Sequence, residues 1–239
     1  MGRGPSIEGR KNAEDAKRAR LFTKLIREIT VAARGGGDPA GNPRLRAAID
    51  KASHANMPRD TVERAVKRGT GELEGAQLEE IRYEGYAPGG VAIMLDCMTD
   101  NRVRTVGEVR NAFTRGGGNL GADGSVAYLF RRIAHFRFDA AQEEKVMEAA
   151  LDAGAEDVVT ADGVTEVIAP PDAFEALGKA FAAANLKPEQ ADVGMHAGTK
   201  VAVSGEMADK VAKLLAALEE LDDVQHVFTN AQLPATSAA

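Results

Sequence analysis

The chain has 239 residues, only 5% of them aromatic and none Trp, which excludes one large aromatic-rich core and favours two or three domains with aliphatic interiors. A single cysteine, Cys97, excludes an internal disulfide and a cysteine zinc site, and with no apolar run near ~18 residues and no charged-then-apolar leader the sequence reads as cytoplasmic, without a membrane partner. The formal net charge of −6 is unevenly placed, with 16 Lys and Arg against 8 Asp and Glu in residues 1–71 and 14 against 28 in residues 72–239.

Residues 1–11 hold Gly, Pro and Ser in place of a periodic pattern and read as a flexible start. Order is expected from Asn12, where strong helix formers run without Pro or Gly to Arg34 and stop at Gly35-Gly36-Gly37. Stepping about 100° per residue, Leu21, Phe22, Leu25, Ile26, Ile29 and Ala33 fall on one arc, and Lys17, Arg20, Lys24, Arg27 and Arg34 on the opposite one. Asn42 and Pro43 open a second helix that turns Leu45, Ala48, Ile49 and Ala52 inward. Pro58 opens a third, with Val62, Ala65 and Val66 buried and Arg64, Lys67 and Arg68 outward before Gly69. Residues 12–75 thus predict a basic helical bundle. Its short second corner is compatible with a helix-turn-helix, although most corners of this kind never meet DNA.

After Gly71 the pattern changes to alternation. Ile81–Tyr86 and Val91–Met98 read as a hairpin across Ala87-Pro88-Gly89-Gly90, followed by a helix Val103–Arg115 and a strand Ser125–Arg131. Residues 133–197 read in the order βαββαβ, the ferredoxin-like arrangement. The remaining strand Lys200–Ser204, helix Met207–Leu221 and strand Val224–Thr229 cannot bury themselves alone. They either complete the sheet begun at 81–131, which makes 133–197 an insertion, or form a separate βαβ piece. The expected division is therefore 12–75, then 76–132 with 198–234, then 133–197 inserted, with a tail at 235–239. The fold class is α+β and multidomain: a helical bundle and two α+β domains.

Catalytic signals are weak. Gly116-Gly117-Gly118-Asn119-Leu120-Gly121 imitates a dinucleotide loop but follows a helix and leads to a strand, the reverse of that motif. Cys97 lies on a buried-looking strand without a cationic neighbour. His54, His135, His196 and His226 are scattered singly, and the pair Asp96 and Asp100 is a poor ligand set, so neither a metal nor a cofactor is expected. Asn101, Arg102 and Arg104 stand out because two arginines in a first helical turn oppose the macrodipole. They either pair with Asp96, Asp100 or Glu108, or they contact a phosphate or another domain.

Four blocks carry a wider pattern: FTKLIREITVAARGGGDPAGNPRLRAAIDKA, NMPRDTVERAVKRGTG, IRYEGYAPGGVAIMLDCMTDNRVRTVGEVRNAF and GGNLGADGSVAYLF. In this order they resemble the YebC/PmpR family, which includes the mitochondrial translational activator of cytochrome oxidase subunit I. The resemblance implies three domains, the last ferredoxin-like and inserted into the second. It also implies a DNA-binding transcriptional regulator or, alternatively, a ribosome- or mRNA-associated translation factor that relieves stalling, neither with catalytic residues. The family's usual start is absent apart from Arg10 and Lys11.

Basic segments of this density neutralise phosphates and release their counterions, whereas an acidic body is repelled. The expectation is a non-enzymatic regulator of gene expression. Arg10, Lys11, Lys17, Arg20, Lys24, Arg27, Arg34, Arg64, Lys67 and Arg68 would meet DNA, or ribosomal or messenger RNA, and the acidic domains would meet a protein partner. The remote alternative is a small-molecule transferase using the loops Gly116–Ser125 and Asn101–Arg104.

Overall fold

The computed structural model describes residues 7–234, with side chains from residue 14 onward. The expected tail at 235–239, most of the expected flexible start, and the side chains of Arg10 and Lys11 lie outside the described residues. In chain order come α1 (Ile7–Ala33), α2 (Pro43–His54), α3 (Arg59–Thr70), β1 (Glu79–Tyr86), β2 (Ala92–Thr99), α4 (Arg102–Arg115), β3 (Asn119–Leu120) and β4 (Phe130–Asp139). There follow α5 (Glu143–Leu151), β5 (Asp157–Ala161), β6 (Val164–Ala169), α6 (Phe174–Ala183), β7 (Gln190–Ala197), β8 (Val201–Ala202), α7 (Gly205–Glu219), β9 (Val224–Thr229) and β10 (Ala231–Gln232). The described residues form two compact units, one of residues 7–125, 202–227 and 231–234, the other of residues 126–201 and 228–230. The second is an insertion in the sequence of the first.

In the first unit α1 is the hub on which α2 and α3 pack. Its helix starts at Ile7, ahead of the expected Asn12. Leu25, Ile29 and Ala32 of α1 meet Leu45, Ala48 and Ala52 of α2, Met57 of the joint that follows it and Ala65 of α3 in a closed aliphatic core. Small residues allow this close approach, most tightly at Gly69, where a Cβ would stand 2.3 Å from the Thr30 carbonyl oxygen and 2.6 Å from Ala33 Cβ. Asn42 does two jobs. Its Oδ1 accepts from Leu45 N to cap α2, while its Nδ2 donates to the Ala32 and Gly36 carbonyls and pins the glycine turn after α1. Leu21, expected inside, is 47% exposed because it precedes the stretch that α2 and α3 cover.

The sheet of this unit has the order β3-β1-β2-β9. β1 and β2 pair antiparallel from Glu79↔Thr99 to Tyr86↔Ala92 around a single 3-10 turn at Pro88–Gly90, as the hairpin signal requires. β9 completes the sheet after α7, the first of the two arrangements the sequence left open, although β8 stays outside it. The expected strand Ser125–Arg131 is corrected. Ala127–Leu129 form a 3-10 turn: Val126 and Phe130 are buried, but Tyr128, which strand alternation would turn to the same face, is 74% exposed. β3 pairs with β1 instead.

The second unit has the order β5-β6-β4-β7 with all pairings antiparallel, the ferredoxin-like sheet. Ala134, Phe136 and Phe138 of β4 join Val146 and Ala150 of α5 and Leu177 and Phe181 of α6 in one core. Strand alternation therefore turns His135 and Arg137 to the opposite face.

Candidate nucleic-acid interface

α1 sorts its cations into two groups. Arg20 lies 3.7 Å from Glu220, Lys24 Nζ donates to the Glu219 carbonyl at 2.7 Å, and Arg27 Nη1 lies 2.7 Å from Asp223 Oδ1. Arg27 also donates to the carbonyls of Met98, at 3.1 Å, and Asp222. The acidic stretch after α7 thus faces the basic arc of α1. Burial pushes the Lys24 pKa down, against the opposing charges of Glu219 and Asp222.

Asp223 is the centre of this contact. Its side chain is 2% exposed, and burial alone would raise its pKa. The Thr105 hydroxyl at 2.6 Å, Arg104 at 2.9 Å and the Arg27 charge outweigh burial and hold the carboxyl below its usual range. Thr99 Oγ1 donates to it as well. Arg104 also bonds Asp100, whose pKa it lowers, and Arg102 lies 3.7 Å from Glu79. Asn101 accepts from Arg104 N as the cap of α4. The unusual arginines at the start of α4 are thus paired with carboxylates of their own unit.

The other cations point to solvent. Lys17, Arg34, Lys67 and Arg68 are exposed and make no ion pair or side-chain hydrogen bond among the described residues, and Arg64 bonds only the Asp60 carbonyl of its own helix. The close packing at Gly69 brings the end of α1 against the end of α3, so Arg34, Lys67 and Arg68 share one end of the bundle. Arg44 is a pairing the sequence reading missed: it bridges Glu28 at 3.1 Å and Glu80 at 2.6 Å.

A groove of about 430 Å³ lies between α4 and α7, lined by Glu108, Arg115 and Lys213 among mainly small and aliphatic residues. Of the two loops a transferase would have used, only Gly116 reaches it. The Cys97 thiol is pushed up to about 12 by burial and by the charge of Asp223, the opposite of an activated nucleophile. Among the described residues no helix is long and apolar enough to cross a membrane.

The sequence profile of the N-terminal domain of TACO1/YebC proteins matches residues 4–72, and that of the second and third domains matches residues 78–231. The chain belongs to the TACO1/YebC family. Relatives in Xanthomonas oryzae and Stenotrophomonas maltophilia, each called a probable transcriptional regulatory protein, are 57% identical over 242 and 243 residues and are covered, like this chain, at 100%. A TACO1/YebC-like fold is also seen in the crystal structure of a conserved hypothetical protein from Aquifex aeolicus, with a TM-score of 0.78, 48% identity and 94% of each chain covered. The relatives are named as regulators, and among the described residues the geometry sorts the cations of the helical bundle into a paired set and an exposed set.

Proposed function

We propose that the protein is a non-enzymatic, DNA-binding transcriptional regulatory protein that docks the end of its helical bundle on the phosphate backbone. Arg34, Lys67 and Arg68 are the contacts at that end, Arg64 adds to them on α3, and Lys17, about 25 Å along α1 from Arg34, extends the set away from it. The observation that carries this reading is their freedom: exposed cations without carboxylate partners among the described residues, in a head of 16 basic and 8 acidic residues. Arg10 and Lys11 extend the set along the chain. Arg20, Lys24 and Arg27 are excluded from it in this conformation because the turn after α7 occupies them. Arg102 and Arg104 are likewise committed to Glu79, Asp100 and Asp223. The relatives' name, probable transcriptional regulatory protein, favours DNA over RNA as the target.

Phosphate contacts of this kind fix position without reading bases. The acidic remainder stays off the backbone and is left to meet a protein partner. The test is titration of duplex DNA, measured by fluorescence anisotropy at increasing salt. Each phosphate contact contributes about 0.9 to the slope of log affinity against log salt. Replacing Lys67 and Arg68 by alanine is expected to flatten that slope by about 2. An unchanged slope rejects the assignment. Tighter binding to a structured RNA than to DNA under the same conditions moves the reading to translation.

A further inference from the structure

The sheet of the second unit gathers, on the face away from α5 and α6, three side chains that the sequence holds far apart. β4 and β7 pair so that His135 stands opposite Asp192, and His196 follows Asp192 on the same face four residues later. The imidazoles of His135 and His196 have centroids 4.8 Å apart. His135 Nδ1 lies 3.7 Å from Asp192 Oδ1, His196 Nε2 lies 4.0 Å from that same oxygen, and one ligand atom from each residue falls within 4.8 Å of the others.

Two of these atoms, His135 Nδ1 and Asp192 Oδ1, are buried without a hydrogen-bond partner among the described residues, and the His135 side chain is only 9% exposed. Glu166 Oε1 stands 3.3 Å from His135 Nε2, which favours the tautomer with its N–H on Nε2 and leaves the Nδ1 lone pair facing the Asp192 oxygen. Two buried acceptors facing each other across 3.7 Å repel unless something positive lies between them. Gly194 keeps the space beside them open: a Cβ there would lie 3.6 Å from Asp192 Oδ2 and 3.7 Å from His196 Nε2, and any larger side chain would extend into the gap.

We propose that His135, Asp192 and His196 form a binding site for a late first-row divalent cation, Zn²⁺ first among them. Two imidazoles and one carboxylate are a donor set that suits Zn²⁺, with a fourth position left for water or an incoming ligand. Ligands around a tetrahedral zinc stand about 3.3 Å apart, so the observed 3.7 and 4.0 Å close by small rotamer adjustments. Glu166 is a positioning residue: it fixes the His135 tautomer, as carboxylates behind zinc-bound histidines do, while Lys200, 3.8 Å from its other oxygen, balances its charge.

The experiment is calorimetric titration of the full, chelator-stripped chain with Zn²⁺, with Co²⁺ as a spectroscopic probe of imidazole ligation. One equivalent per chain is expected, together with a rise in unfolding temperature as Zn²⁺ is added. His196→Asn and Gly194→Val should each lose more than tenfold in affinity, the first by removing a ligand and the second by filling the gap. Glu166→Gln should lose about tenfold, and His54→Ala should lose none. His135→Ala tests the buried ligand directly; if it does not fold, the half-buried His196 and the strand-compatible valine at 194 decide the matter. No saturable uptake of Zn²⁺, or equal uptake by His196→Asn and Gly194→Val, overturns the site.

Discussion

Asp223 draws donors from three parts of its unit: Arg27 of α1, Thr99 at the end of β2, and Thr105 and Arg104 of α4. A carboxylate 2% exposed is unstable without such partners, and with them it fixes their geometry. Asp223→Ala should therefore destabilise the protein by about 3 kcal/mol in urea unfolding, because two guanidinium groups lose their shared acceptor. Its depressed pKa gives the stabilisation a pH window. It is fully present above the unfolded carboxyl value of about 4 and is lost as pH falls from there through the lower folded value. The stability gap between the native protein and Asp223→Asn should narrow on acidification in that range; a gap constant with pH would reject the assignment. Sequence spacing made Asp100 a visible partner for Arg104 four residues away, but Asp223 lies 119 residues from Arg104 and no local rule links them.

α1 shows how a correct periodicity can still mislead about what a face meets. Its apolar arc is found inside the bundle, with Leu25, Ile29 and Ala33 buried. The basic arc looked like a solvated or phosphate-binding stripe, yet its middle, Arg20, Lys24 and Arg27, meets the acidic turn after α7. The missed signal was Val31: at about 100° per residue it falls between Arg20 and Lys24, in the middle of the cations, and it is 5% exposed against Leu78 and Met98. An apolar residue centred in a charged arc marks a second packing face. The glycines were more legible as helix stops than as contacts. Gly69 ends no pattern by itself, but it lets α3 lie directly on α1. Gly69→Val should cost about 1–3 kcal/mol through overpacking, read as a lower unfolding temperature, since the Thr30 carbonyl it would strike belongs to the helix backbone.

At the scale of the whole chain, charge division and element order were open to reading because both are properties of composition and period. The ferredoxin-like order follows from strand and helix signals alone, whereas the return of the chain to the first sheet was one of two arrangements those signals left open. What joins His135 to His196, or Arg27 to Asp223, is strand pairing and helix docking across long sequence separations, which no single window contains. The two cation sets can now be separated by a crossed measurement. Arg27 is 16% exposed and bound to a buried carboxylate, so Arg27→Ala should cost about 2 kcal/mol of stability while leaving the salt slope of DNA binding unchanged. Lys67 and Arg68 are exposed and unpaired among the described residues, so their replacement by alanine should leave unfolding within about 0.5 kcal/mol while flattening that slope. Stability by urea titration and slope by anisotropy would be measured on the same preparations. A flattened slope for Arg27→Ala without loss of stability would mean that α1 leaves the acidic turn when DNA binds, and that the covered arc is the contact face.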